Sequence, residues 1–231
     1  MRAIALYTGG KDSHYALMKA LEEGIEVIGL VTALPKSIES WMFHAVNIKW
    51  TELHARAMGI KQYFIEVSGI KEREVDEFTE GLKKLMRDAG FDCLIVGAVA
   101  SKYQYDRVMA MAKKLGVDVY APLWGRDPYE VLNEEIGKIK FMLIAIQAYG
   151  LTEKWLGKII SEENKNEFIN ICRKYYLSPV GEGGEFETFV IYSPLFGDRE
   201  VKIVRYEKVW YSTQYVGYIV IKEAKLELLT S

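Results

Sequence analysis

The residues that follow the first apolar run, Tyr7-Thr8-Gly9-Gly10-Lys11-Asp12-Ser13, have the make-up of a phosphate-binding turn. Glycines let backbone N–H groups approach an anion, and a helix beginning about Lys11 presents unpaired donors and partial positive charge. The Lys11 ammonium adds a full charge, and the Thr8 and Ser13 hydroxyls add donors. Two common nucleotide loops are excluded by spacing. A Walker A loop needs Gly at position 5 and Ser or Thr at position 12, where this chain has Ala5 and Asp12, and no GxGxxG is present. The competing reading is a plain strand-to-helix turn with Lys11 solvated.

Two further segments carry chemistry. In Gly97-Ala98-Val99-Ala100-Ser101-Lys102-Tyr103-Gln104-Tyr105-Asp106-Arg107, Ser101 can cap a helix or touch phosphate, and Arg107 lies one to two turns in, within reach of phosphate. Tyr103 and Gln104 are placed to line a pocket; the alternative leaves Arg107 a solvated helix charge. In Gly181-Glu182-Gly183-Gly184-Glu185-Phe186-Glu187-Thr188, the glycine pair marks a turn, and strand alternation then puts Glu185 and Glu187 on one face with Phe189 and Ile191. Such carboxylates can hold Mg²⁺, bind an ammonium or quaternary ammonium group, or accept a proton. A solvated acidic turn is the alternative.

The elements that must position these residues read as short apolar runs alternating with amphipathic segments, the pattern of parallel strands joined by crossover helices. Strands are expected at Arg2–Tyr7, Glu26–Thr32, Gln62–Val67, Cys93–Val96 and Asp118–Tyr120. Val75, Phe78, Leu82, Leu85, Met86 and Ala89 recur at helical spacing, with Lys71, Glu72, Glu74 and Lys83 largely opposite. Ser101 and Gly116 bracket another helix. A boundary near Asp127 divides the chain into 1–127 and 128–231. The second part is expected to be helical first, from Tyr129 to Ala148 and in two more pieces up to Tyr176. It then turns β-rich at Phe189–Tyr192, Val201–Tyr206, Val209–Tyr211 and Tyr218–Ile221, with turns at Pro194, Gly197-Asp198 and Gly217.

Composition removes several classes. With 27% charged residues and a net charge of -2 over 231 residues, there is no global pull toward nucleic acid or anionic membrane. No run approaches the roughly 20 apolar residues of a membrane span, and the N-terminus lacks a signal peptide, so a cytoplasmic location is expected. Cys93 and Cys172 form no CxxC, which argues against a disulfide framework or iron–sulfur cluster. His14, His44 and His54 form no HExxH, and packing is the leading role for His54.

The first loop resembles the SGGKDS pyrophosphate loop of the PP-loop, or N-type, ATP pyrophosphatases, with Thr8 where that superfamily usually has Ser. With the Ser101–Arg107 segment, Gly150-Leu-Thr-Glu-Lys-Trp-Leu-Gly-Lys158 and Glu182–Thr188, nearly the whole chain is similar to the diphthine–ammonia ligase family. Tyr105 stands where that family often has Arg. The resemblance implies a doubly wound, mostly parallel five-stranded sheet of the Rossmann-like, adenine nucleotide alpha hydrolase-like type, followed by a smaller α+β domain. It implies that ATP lies across the carboxyl ends of the strands and is split to AMP and pyrophosphate. Gly9, Gly10, Lys11, Asp12 and Ser13 would grip the phosphates, Thr8, Gly97, Ser101, Tyr103, Gln104 and Arg107 would complete the site, and Thr32 would lie near adenine. Mg²⁺ would offset the developing charge, with Asp12 its protein ligand, and Lys11 would act beside Glu182, Glu185 and Glu187 in catalysis.

The implied reaction amidates the diphthine carboxylate of elongation factor 2 with ammonium through an acyl-adenylate, without direct nucleic-acid binding; self-association is left open. The rival readings are a module that binds ATP or AMP for regulation and an ATP-dependent tRNA-thiolating enzyme.

Overall fold

In the computed structural model, residues 1–36, 47–70 and 73–229 are described. His44, Lys71 and Glu72 lie outside them. The first sheet is built by β1 (Arg2–Leu6), β2 (Glu26–Pro35), β3 (Gln62–Val67), β4 (Cys93–Ile95) and β5 (Asp118–Tyr120). All its pairings are parallel, in the order β3-β2-β1-β4-β5. The helices are α1 (Lys11–Glu22), α2 (Thr51–Met58), α3 (Arg73–Ala89) and α4 (Lys102–Leu115). Because the chain winds outward from β1 to β3 and then restarts at β4, the strand order reverses between β1 and β4. A crevice opens at that point, at the carboxyl ends of the strands, where open α/β sheets bind ligands.

Local chemistry explains where α4 begins and ends. The Ser101 hydroxyl accepts from the Gln104 amide, and Gly116 closes the helix in the left-handed conformation at φ 71°. One apolar cluster, with Ile4, Val31, Leu82, Leu94 and Val108, fills the face of the sheet covered by α3 and α4. The other face shares a continuous core with the second half of the chain, in which Ala5, Tyr15 and Leu17 join Phe141, Leu143 and Phe189.

That second half contains α5 (Pro128–Lys138), β6 (Lys140–Gln147), β7 (Ile159–Ile160), α6 (Lys165–Tyr175), β8 (Phe186–Tyr192), β9 (Arg199–Tyr211) and β10 (Val216–Leu228). The sheet is antiparallel, ordered β7-β6-β10-β9, with β8 on the other edge of β6. The expected helix from Tyr129 to Ala148 is corrected here: it stops at Lys138, and Lys140–Gln147 is the central strand. Six consecutive residues of β6, from Phe141 to Ile146, are buried. An apolar run that long has no alternation to distinguish a strand covered on both faces from a buried helix.

Of the two later helical pieces, only α6 is an α-helix; Glu153–Trp155 is a single 3-10 turn. The runs expected as two strands, Val201–Tyr206 and Val209–Tyr211, are one strand, β9. Gly217 lies inside β10 rather than at a turn, because a Cβ there would sit 2.3 Å from Trp210 Cε3 across the hairpin.

Three side chains or strands stitch the sheets together. The Val190 amide donates to the Gly9 carbonyl at 3.0 Å. The Asn47 amide group donates to Ile219 O at 2.8 Å and accepts from the Ile221 amide at 2.9 Å, continuing the ladder along β10 beyond its pairing with β6. Trp50 Nε1 donates to Ile221 O at 3.0 Å. Among the described residues, no helix is long and apolar enough to cross a membrane.

Candidate active site

The loop between β1 and α1 is held by its own hydroxyls. Thr8 Oγ1 and Ser13 Oγ lie 3.1 Å apart, the Gly10 amide donates to Thr8 Oγ1 at 3.3 Å, and Ser13 Oγ donates to the Gly10 carbonyl at 3.1 Å. Gly9 has φ +80°, and a Cβ there would stand 2.6 Å from Thr51 Cγ2, so this position needs glycine both for its backbone angle and for its contact with α2. Gly97, in the β4–α4 connection, is equally close to its neighbour, and there the neighbour is backbone. A Cβ would lie 2.6 Å from the Asp12 carbonyl group and the Ser13 amide nitrogen. The two loops at the reversal point are therefore in backbone contact.

Beside them is a cavity of about 490 Å³, within the range of small-molecule sites. Thr8, Gly10, Asp12 and Ser13 line one side, and Gly97, Tyr103, Gln104 and Arg107 line another. Thr32 lies on its wall, where its hydroxyl donates to Tyr7 O at 2.7 Å and accepts from Gln62 at 3.0 Å. Pro35, Val67, Val75, Phe78 and Met111 give it an apolar end. The Arg107 guanidinium stacks on the Tyr103 ring at 3.7 Å. Tyr105 turns away and stacks on Trp124 at 4.0 Å.

The second half of the chain closes the remaining side with Glu182, Phe186, Glu187, Thr188 and Phe189. Thr188 Oγ1 accepts from the Lys11 amide at 3.1 Å, placing a β8 hydroxyl at the N-terminus of α1. The Glu182 carboxylate accepts from the Val99, Ala100 and Ser101 amides at 2.7, 2.6 and 2.8 Å. Glu185 does not share the face of Glu187 as alternation suggested. It precedes β8 and folds back to accept from the Ser178 amide at 2.9 Å, outside the cavity lining.

Lys11 also differs from expectation. Its side chain is fully buried and does not line the cavity; Nζ lies 2.5 Å from Asp12 Oδ1 and 3.1 Å from Glu135 Oε2 on α5. Both Glu135 oxygens lack an aligned hydrogen bond, so this contact is an ion pair rather than a directed bond. Burial works to lower the Lys11 pKa, but Asp12 and Glu135 together raise it. Burial raises the Glu135 carboxyl well above the usual range against the pull of Lys11. The neighbouring Glu134 is held down at about 2, chiefly by its bonds to Arg126, and it also accepts from Tyr15 on α1 at 2.9 Å. Glu135 gave no sequence signal, because it reads as an ordinary helix charge.

Beneath Gly9 lies a second buried network. Tyr7 Oη is 2.8 Å from both His14 Nδ1 and His54 Nδ1, and His54 Nε2 is 2.7 Å from Val190 O. The carbonyl can only accept, so His54 carries its proton on Nε2, Tyr7 donates to His54, and His14 donates to Tyr7. Burial keeps both rings neutral: it lowers His54 to about 4 and His14 well below its usual value.

The metal expected at Asp12 meets a carboxylate that lines the cavity and is 23% exposed, with one oxygen engaged by Lys11. Among the described residues, no group of three or more His, Cys, Asp or Glu could hold a metal ion. A single carboxylate is the kind of protein ligand that Mg²⁺ takes, since that ion usually keeps several waters.

A doubly wound parallel sheet with a glycine loop and a cavity at its reversal point defines an α/β protein of the class that binds ligands at the carboxyl ends of its strands. Two families cover the sequence: residues 1–119 match the diphthamide synthase N-terminal domain, and residues 127–227 match the diphthamide synthase C-terminal domain. The chain belongs to the diphthamide synthase family. It is 31% identical to the diphthine–ammonia ligase of Mus musculus, covering 98% of this chain and 93% of the relative. It is 32% identical to that of Homo sapiens, covering 85% and 80%. The Schizosaccharomyces pombe enzyme is 32% identical over 96% of this chain, which spans 39% of that longer protein. A solved structure described as a predicted subunit of tRNA methyltransferase from Methanocaldococcus jannaschii has 19% identity, covers 84% of this chain and 98% of its own, and gives a TM-score of 0.46.

Proposed function

We propose that this protein is an ATP-dependent ligase that converts the diphthine carboxylate of elongation factor 2 to its amide, using ammonium and releasing AMP and pyrophosphate. The observation that carries this reading is the convergence on one cavity of the β1–α1 loop, the β4–α4 loop and the Glu187–Thr188 end of β8, in a chain of this family. ATP lies along the carboxyl ends of the first sheet, its base toward Thr32 and the apolar end and its phosphates toward the α1 terminus. Thr8, Gly10 and Ser13 supply hydroxyl and amide donors, Arg107 supplies a cation, and the partial positive charge of the helix favours the leaving pyrophosphate. Lys11 contributes through its backbone and through its hold on Asp12. Asp12, which lines the cavity, is the residue that would hold Mg²⁺ together with the phosphates, and the ion would offset their charge.

A carboxylate is a poor electrophile, because its oxygen does not leave. Attack of the carboxylate on the α-phosphorus forms an acyl-adenylate and expels pyrophosphate; ammonia then displaces AMP. Glu187 lines the cavity next to Thr188, which touches the glycine loop, and is the carboxylate placed to meet ammonium or a cationic substrate. The thiolation reading requires a reactive thiol, and neither cysteine offers one. Cys93 and Cys172 are both fully buried, and burial pushes the Cys172 thiol up to about 12. The test is product identity. AMP and pyrophosphate in equal amounts, dependent on the modified factor, support the reading; ADP with phosphate, or nucleotide binding without turnover, counts against it.

A further inference from the structure

Both loops that flank the cavity are tied to one short segment. At its far end, Thr188 Oγ1 accepts from the Lys11 amide and the Val190 amide donates to Gly9 O, at 3.1 and 3.0 Å. At its near end, Glu182 reaches the β4–α4 loop, where Oε1 accepts from Val99 and Oε2 from Ala100 and Ser101. Glu187 lies between these anchors, on the cavity wall. Hydrogen bonds from amides to an ionised carboxylate are about twice as strong as neutral ones, and these three amides lead directly into the N-terminus of α4, whose partial positive charge favours a negative neighbour. The glycines around Glu182 shape the turn for this reach. Gly181 has φ +78°, and a Cβ there would stand 2.7 Å from the Phe186 carbonyl oxygen, so the turn folds tightly onto the start of β8.

We propose that Glu182 is a positioning residue: its carboxylate anchors the near end of the 182–190 strap to the β4–α4 loop, so that Glu187 and Thr188 are held against the cavity. This rests on the reaction proposed above and assigns Glu182 a role other than proton transfer. A general acid or base needs an oxygen aimed at the reacting atom. Both oxygens of Glu182 are already taken by the protein's own amides. Without the carboxylate, three N–H groups lose their partner and the strap keeps only its far anchors.

The experiment compares wild type, Glu182→Gln and Glu182→Ala in AMP formation, in its pH profile, and in amide hydrogen exchange at Ser101, Lys11 and Val190. Gln keeps the length and one carbonyl oxygen, so Glu182→Gln should stay within about tenfold of wild type with an unchanged pH profile. Glu182→Ala should fall about a hundredfold, the loss expected from ångström-scale misplacement. Added formate should not restore it, because a free carboxylate fills the amide site without tethering the strap. Exchange should accelerate at Ser101 and also at Lys11 and Val190 in Glu182→Ala. The proposal is overturned if Gln is as inactive as Ala, if formate rescues Ala, or if Ala turns over normally. A wild-type protein that forms no AMP would defeat the reaction reading instead. Exchange then decides alone, and unchanged protection of Lys11 and Val190 in Glu182→Ala overturns the anchor.

Discussion

Gly97→Ala probes the contact on which the cavity depends. The new Cβ would stand 2.6 Å from Asp12 C and O and from Ser13 N, all backbone atoms that no rotamer change can move aside. Ordinary contact begins near 3.4 Å, so the β4–α4 loop and the first turn of α1 must separate by about 0.8 Å. Overpacking of this kind costs about 1–3 kcal/mol, and at roughly 2–4 °C per kcal/mol for a chain of this size the melting midpoint should fall by about 2–12 °C. The catalytic cost should be larger in proportion. A displacement approaching 1 Å between groups that grip one ligand can lower turnover by about a hundredfold. Thermal unfolding, calorimetric titration with Mg-ATP and AMP release measure the three quantities. Normal turnover in a Gly97→Ala protein with an unchanged melting midpoint would show that the loops are not held against each other as described.

The ion pair beneath the loop makes a separable prediction. Lys11→Ala leaves Glu135 buried without its cation and should cost about 3–5 kcal/mol, whereas Lys11→Met with Glu135→Leu replaces the pair by apolar groups and should recover most of that stability, read by urea unfolding. If the single variant is as stable as wild type, the pair has been misjudged. The histidine network predicts acid sensitivity. Burial, partly offset by the bond to Val190 O, sets folded His54 at about 4 against 6.5 for the free ring, so the unfolded chain takes up the proton first. The stability this ring supports is complete above about pH 6.5 and is lost as pH falls toward about 4, amounting to roughly 2.5 kcal/mol by about pH 4.5. Glu135, with its raised pKa, acts in the opposite sense. The measurement is therefore the stability gap between wild type and His54→Gln, which should narrow by that amount from about pH 7.5 to about pH 4.5; a constant gap would contradict it.

The first sheet was legible because its strands are short apolar runs, and β3 and β4 lead into helices, α3 and α4, whose limits or apolar stripe show in the sequence. Gln62–Val67 and Asp118–Tyr120 occur as read, and the other three strands differ by a few residues at one end. The Tyr129–Ala148 segment was misread because β6 is buried on both faces and carries no period of two. In the antiparallel hairpin, β9 was read as two runs and β10 was read short, since its outer half, from Lys222 to Leu228, is largely polar and takes its pairing from β9. Of the residues singled out in the glycine-rich loops, Thr8, Gly10, Asp12, Ser13, Gly97, Glu182 and Glu187 line one cavity, whereas Gly9, Lys11, Ser101 and Glu185 do not. The roles of individual charges were harder to read. Lys11 looked like a phosphate ligand, yet Glu135, more than a hundred positions away, draws its ammonium into the core. Glu182 and Glu185 looked like free carboxylates, yet backbone amides claim both, those of the β4–α4 loop for Glu182 and the nearby Ser178 amide for Glu185.

The most direct test of the central claim is to incubate the protein with Mg-ATP, ammonium and elongation factor 2 carrying diphthine, and to follow the modified residue by mass spectrometry while counting AMP. The account predicts conversion of carboxyl to amide with one AMP per amide, supported by ammonium alone. AMP formed without amide, or amide formed without AMP, would contradict it.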